Sequence, residues 1–210
     1  MARHWLVRII VATSLFANAL FGWNYYSDNV VEYVFDGDTF GLNNGSRIRL
    51  LNIDSPEKDL CGAEEAKKRL EELILGKFVI VKESNFDAFG RRQGLVYQGN
   101  QLINETMLKE GWGKVNYMPS SQNEKLKSAY KYAKDNKLGV FGLNCKDVKP
   151  EDSDCVIKGN IDENTSKKFY YLPDCRDYDR VKIDLDRGEK FFCIEKEASA
   201  AGFVKASGCE

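Results

Sequence analysis

The chain has 210 residues, with 31 Lys or Arg against 32 Asp or Glu and a net charge of −1. At 43% hydrophobic and 30% charged residues it is neither a disordered polyelectrolyte nor a strongly basic protein. Any grip on a polyanion must therefore come from local arginines or a bound cation, not from long-range attraction.

The length suits one main domain and a small second one. Met1 to Arg8 holds Arg3 and Arg8 and no acid, and Ile9 to Trp23 is largely apolar. This pattern reads as an export signal over residues 1–23, with Ala17-Asn18-Ala19 as an A-x-A-like cleavage site. Aromatic residues continue to Tyr26, so an uncleaved anchor that tethers the chain through residues 6–23 is the alternative. The apolar run is shorter than the roughly 20 residues of a membrane span. Either way the rest of the chain is expected outside the cytoplasm, periplasmic or extracellular. Six cysteines, an even number without a C-x-x-C pair, fit such a compartment, with scattered free thiols as the alternative.

Val30 to Val34 is β-branched and aromatic, a predicted strand. Asp36-Gly37-Asp38 turns, Thr39 to Leu42 continues extended, and Asn43-Asn44-Gly45 signals a hairpin. Arg47 to Ile53 alternates as a half-buried strand should, and Ser55-Pro56 breaks it. Ala66, Leu70, Leu73 and Ile74 recur at helical spacing within Ala63 to Leu75, and Gly76 stops that helix. Phe78 to Val81 and Gly94 to Tyr97 are predicted strands. Asn104 to Glu110 is a predicted short helix. Ser121 or Gln122 through Asn136 is another, with Leu126, Ala129, Tyr130 and Ala133 on one face. Five short strands with intervening helices suit an OB-type barrel over residues 29–145. Residues 146–154 read as a polar linker. Residues 155–210 read as a small unit with strands near Lys167 to Leu172 and Lys190 to Cys193 and a helix at Glu195 to Ala201.

Taken singly, the polar motifs are ordinary. Asp36-Gly37-Asp38 is a turn, Ser55 could cap a helix with Pro56 at its first position, and Gly90-Arg91-Arg92 could be a hairpin tip. Together they form a reactive set. Asp38 and Asp54 are hard oxygen ligands that, with a main-chain carbonyl and water, can hold Ca²⁺. Glu57 follows closely and could deprotonate a metal-held water. Arg49 and Arg91 are forked donors suited to a phosphate whose charge grows in the transition state. The only histidine is His4, within the predicted signal, so histidine chemistry has no place in the mature chain.

These segments resemble the thermonuclease, or staphylococcal-nuclease-like, family. Val34-Phe35-Asp36-Gly37-Asp38-Thr39 resembles its V-x-D-G-D-T segment, and Arg47 through Glu57 resembles R-L-x-x-[IV]-D-[TS]-P-E. Asp87-Ala88-Phe89-Gly90-Arg91 resembles D-x-[YF]-G-R. Ile103-Asn104-Glu105 with Lys109 to Trp112, and Gly139-Val140-Phe141-Gly142, resemble the closing motifs, all in order over roughly 115 residues. The resemblance implies a five-stranded OB-fold barrel with three helices. It also implies Ca²⁺ on Asp38, Asp54 and the Ser55 carbonyl, with Asp36 nearby. Glu57 would act as general base or water-orienting group, Arg49 and Arg91 would hold the scissile phosphate, and Tyr117 would contact substrate. The implied reaction is hydrolysis of DNA and RNA to 3′-phosphates by a monomer with no obligate protein partner. A catalytically silent OB module that only binds nucleic acid or protein is the rival reading. The loop after Glu57 is short, Ala88 and Phe89 replace substrate-gripping residues, and a second aromatic near Met118-Pro119 is missing.

Cys61 and Cys145 resemble a pairing in exported family members. The tail cysteines Cys155, Cys175, Cys193 and Cys209 allow three pairings, of which Cys155–Cys193 with Cys175–Cys209 is preferred, or a four-cysteine zinc site. So small a unit lacks much core, which favours disulfide staples. Residues 146–210 carry 12 basic and 15 acidic residues, a net charge of −3 that argues against general DNA affinity.

Overall fold

The computed structural model describes residues 2–87, 90–116, 118–142, 145–162 and 165–209. Tyr117, Ala88 and Phe89, singled out above, lie outside the described residues. Helix α1 (Ala2–Asp28) runs unbroken through Ala17-Asn18-Ala19. None of the described helices is long and apolar enough to cross a membrane. The end of α1 packs on the domain that follows: Tyr26 stacks on Phe78 with ring centroids 5.0 Å apart, and Tyr25 meets the same ring edge-on.

Strands β1 (Val31–Val34), β2 (Thr39–Leu42) and β3 (Arg47–Leu50) form an antiparallel meander, with Asn43 to Gly45 as the turn between the last two. A two-residue strand β4 (Ile53–Asp54) follows, and then α2 (Ala63–Ile74). The long hairpin β5 (Ile80–Phe86) and β6 (Arg92–Gln98) leads into β7 (Gln101–Leu102), α3 (Ile103–Lys109), β8 (Lys114–Val115) and α4 (Asn123–Asp135). The main sheet has the order β1-β2-β3-β6-β5, with β7 on β6 and the β3–β6 pair parallel. Strands β4 and β8 form a separate antiparallel pair.

This is a six-stranded mixed sheet in an α+β domain, without a continuous barrel ladder among the described residues. Register shifts between Val31 and Tyr33 and between Lys82 and Asn85 bend the outer strands. The bend brings the two edges together at one isolated bridge, Val30 to Phe78, flanked by Val79 N–H to the Asn29 carbonyl at 3.0 Å.

The sheet encloses Phe40, Ile48 and Leu50, all fully buried, and α2 covers one end with the predicted face Ala66, Leu70, Leu73 and Ile74. Helix α4 buries Leu126, Ala129 and Ala133. One polar side chain ties these layers to the segment that carries Asp54. Asn104, fully buried at the start of α3, donates to the carbonyls of Leu51 (2.8 Å) and Gly94 (3.2 Å) and accepts from Val96 N–H (2.8 Å). Alanine there strands buried main-chain groups whose desolvation is no longer offset. Asn104→Ala is expected to cost about 2–4 kcal/mol, read from urea denaturation. A loss below about 1 kcal/mol would show that these contacts carry no weight.

The tail folds as a second, smaller core. Strands β9 (Ile157–Ile161), β10 (Lys168–Tyr171), β11 (Lys190–Phe192) and β12 (Val204–Lys205) form a sheet of order β11-β9-β10-β12, with α5 (Glu195–Ala200) alongside. Its apolar centre is Ile157, Tyr170, Phe192, Ala198 and Phe203. All six cysteines are paired as Cys61–Cys145, Cys155–Cys193 and Cys175–Cys209. The zinc alternative is thereby overturned, because no thiolate remains to bind metal. Asp152 does sit beside Cys155 and Cys193, but both of those sulfurs are in a disulfide. The segment read as a linker is pinned at its start. Val148 N–H donates to the Ile183 carbonyl, and the Asp184 carboxylate accepts from Lys146 and from Asp147 N–H.

Candidate active site

The β1–β2 turn sets the first carboxylate. Asp36 accepts a hydrogen bond from Asp38 N–H at 3.1 Å, an Asx-type closure that fixes the turn. Gly37 lies so close to Ala66 and Ser55 that a Cβ would fall 2.6 Å from Ala66 Cβ, which is why the turn has no side chain there. Asp38 is thereby driven inward and is only 1% exposed. Its Oδ1 accepts from Thr39 Oγ1 (2.7 Å) and Arg49 Nη1 (2.6 Å), and its Oδ2 accepts from Ser55 N–H (3.0 Å).

Arg49 projects from β3, whose Thr39 partner across the ladder sits beside Asp38. Its second nitrogen Nη2 donates to Asp54 Oδ1 at 2.7 Å and reaches the Ile53 carbonyl at 3.5 Å. One guanidinium thus bridges two carboxylates that are 16 residues apart in sequence, one buried and one 60% exposed. Two of its five N–H donors are spent on the acids. The bridge does not fully offset burial. Loss of water pushes the Asp38 carboxyl up, the Arg49 charge pulls it down and the neighbouring Asp36 pushes it up again, to about 7.

Ser55-Pro56-Glu57 is not a helix start, as one local reading of these residues allowed. Helix α2 begins at Ala63 with Gly62 before it, and the Ser55 N–H is committed to Asp38. Ser55 is buried, while Glu57 is exposed and lines a cavity of about 680 Å³ together with Asp54 and Ser55. The Arg91 guanidinium is held by Asp87 at the tip of the β5–β6 hairpin. Asp87 Oδ2 accepts from Arg91 Nε at 2.6 Å and its Oδ1 accepts from Arg91 N–H at 2.8 Å. Arg92, the next residue, pairs with Ile48 of β3, so the tip stands beside the strand that carries Arg49.

Asp36, Asp38, Arg49, Asp54 and Ser55 therefore form one bonded cluster. Glu57 lines the same cavity as Asp54 and Ser55, and Arg91 stands on a separate hairpin, bonded to Asp87. Sequence reasoning missed three groups: Thr39, which bonds to Asp38; Asp87, which aims Arg91; and Lys114, the ladder partner of Asp54. The first two lie inside the motifs already quoted. Nothing local marks Lys114, which reaches Asp54 only because β8 returns 60 residues later.

A bent mixed sheet capped by helices, with an acid–arginine cluster from which Asp54 and Ser55 line a cleft, defines a small α+β domain. Residues 47–142, a little under half of the chain, match the model of the family described as staphylococcal nuclease homologue. The chain is 28% identical over 149 residues to a micrococcal nuclease of Shigella flexneri, covering 64% of this chain and 84% of that protein. It is 34% identical over 82 residues to an uncharacterized endonuclease of Haemophilus influenzae, covering 37% and 46%. It is 31% identical over 132 residues to a prophage-derived endonuclease of Bacillus subtilis, covering 56% and 45%. The chain spans less than half the length of several relatives that it matches.

Proposed function

We propose that this chain is an exported, Ca²⁺-dependent nuclease that hydrolyses phosphodiester bonds of DNA and RNA with little sequence specificity, leaving 3′-phosphates. The observation that carries the reading is the convergence of Asp38 and Asp54 on one cationic centre, the Arg49 guanidinium, inside a domain whose relatives include proteins named as nucleases. Export is supported by the basic-then-apolar N-terminus and by three disulfides. The Val30–Phe78 bridge supports reading the bent sheet as a five-stranded OB-type barrel.

The donor set fits Ca²⁺. Two carboxylates and a main-chain carbonyl offer hard oxygens, and the carboxylates already gather around one positive group. Asp38, Asp54 and the Ser55 carbonyl would hold the ion, with Asp36 fixing the Asp38 main chain. Bound there, Ca²⁺ would polarise the phosphate and lower the pKa of a water on it. Glu57, exposed at the cleft, takes the proton from the attacking water or orients it. Arg49 and Arg91 present N–H donors to the phosphate oxygens as their charge grows. Tyr117 is the proposed aromatic contact to the substrate.

The test uses the oxidised protein with plasmid, single-stranded DNA and RNA, in Ca²⁺ or in chelator. Cleavage is expected only with Ca²⁺. No cleavage of any substrate in Ca²⁺ would leave the silent binding module as the reading. Binding is read separately by melting. At a hundredfold excess over its dissociation constant Ca²⁺ contributes about 2.7 kcal/mol, which raises Tm by roughly 5–10 °C. Asp38→Asn is expected to abolish that rise. An equal rise in the variant would remove Asp38 from the ion's ligands.

A further inference from the structure

The cavity beside Asp54 and Glu57 has a second wall that the nuclease reading does not use. Its near side is Asp54, Ser55, Glu57 and Lys114; its far side belongs to the tail, through Asp162, Ser166 and Arg187. The tail is fastened there by charge. Asp186, 5% exposed, lies 3.4 Å from the Lys114 ammonium through Oδ2. The Lys146 ammonium stands 2.6 Å from its Oδ1, off the hydrogen-bonding direction. Leu185 N–H donates to the Cys145 carbonyl at 2.7 Å, and Gly188 faces Leu60 in the loop after Glu57. Buried Glu189 holds the turn by accepting from Ile161 N–H, Asn160 Nδ2 and Asp184 N–H. Arg187 is set at the edge of this turn, with Nη2 donating to the Ile161 carbonyl at 2.8 Å and the Glu189 carboxylate 3.8 Å away.

We propose that residues 155–209 form the far wall of the substrate cleft, with Arg187 contacting a phosphate of the bound strand. The inference rests on the nuclease reading above. A cleft of about 680 Å³ between two walls is the size of a small-ligand site and takes a stretch of one strand. Residues 155–209 carry ten basic and ten acidic residues, so this wall has no general affinity for polyanions and its contribution is local: Arg187, with Asp162 lining the same cavity.

The experiment measures binding of a fluorescein-labelled oligothymidylate by anisotropy across a salt series, in chelator with the oxidised full chain. Arg187→Gln, which removes the charge and keeps a polar side chain, is expected to weaken binding about five- to tenfold and to lower the salt slope by about 0.7. Arg187→Lys, which keeps the charge, should keep the slope. Asp162→Asn should tighten binding about two- to threefold at low salt. An unchanged slope in Arg187→Gln, or equal loss of slope in Arg187→Lys, would overturn the proposal. Cleavage with Ca²⁺ is scored separately on the same preparations. A wild type that cuts, with an unchanged slope in Arg187→Gln, removes the wall alone. A wild type that does not cut, with a lowered slope in Arg187→Gln, removes the nuclease reading and leaves the wall.

Discussion

Arg49→Ala and Arg91→Ala are each expected to lower turnover on DNA by about 10²–10³-fold, the scale of removing one preorganised donor from a developing anion, yet to differ sharply in stability. Among the described residues Arg49 is the only cation bonded to buried Asp38, and it also holds Asp54. Its removal leaves a buried carboxylate with Thr39 and Ser55 as hydrogen-bond donors but no cation beside it. Breaking such a pair costs about 3–5 kcal/mol, and the low end applies here because Asp38, already pushed up to about 7, can relieve the strain by taking a proton. Arg91 is 44% exposed and paired to Asp87 at a hairpin tip. Losing that pair costs about 1 kcal/mol or less. Saturating-Ca²⁺ kinetics and urea melts on both variants separate the two effects. An Arg91→Ala enzyme within about twofold of wild-type turnover would contradict its role at the phosphate.

The second large effect concerns the Cys61–Cys145 bridge, whose partners lie 84 residues apart with Cα atoms 5.6 Å from each other. Cross-linking a loop of that length removes denatured-chain entropy worth about 4 kcal/mol. The double substitution Cys61→Ser with Cys145→Ser is expected to lower Tm by roughly 10 °C. The loss extends to activity, because Cys61 stands four residues after Glu57 and Cys145 supplies the carbonyl that receives Leu185 N–H from the tail. Calorimetry on the oxidised variant measures the first, and turnover at 25 °C the second. A Tm within about 2 °C of the parent would show that the loop is already constrained without the bridge.

Much of this arrangement is legible in the sequence where the signal is local or periodic. The helical spacing of Ala66, Leu70, Leu73 and Ile74 names the buried face of α2 correctly, and Asn43 to Gly45 names the β2–β3 turn. Asp38, Arg49 and Asp54 are readable as a set because they sit on consecutive short elements that the meander must bring together. What stays hidden is non-local. Strands β4, β7, β8 and β12 have two residues each, too few for any alternation to show. The pairing of Asp54 with Lys114 depends on how β8 returns, and the pinning of residues 146–148 depends on Ile183 and Asp184. Arg187 lacks a motif altogether: its place at the cleft follows from a turn held by Glu189, a carboxylate that looks from sequence like any other surface acid.

The buried position of Asp186 bears on how freely the tail could be exchanged between proteins. A unit docked by apolar contact alone can be recombined onto many hosts, since most surfaces tolerate it. This one carries a carboxylate that is nearly without water and depends on Lys114 and Lys146, residues that belong to the preceding domain and the join. A host lacking both lysines would have to enclose a lone charge, at a cost of several kcal/mol. The tail and its neighbour are thus matched electrostatically, and a viable chimera would have to transfer the two lysines together with the tail.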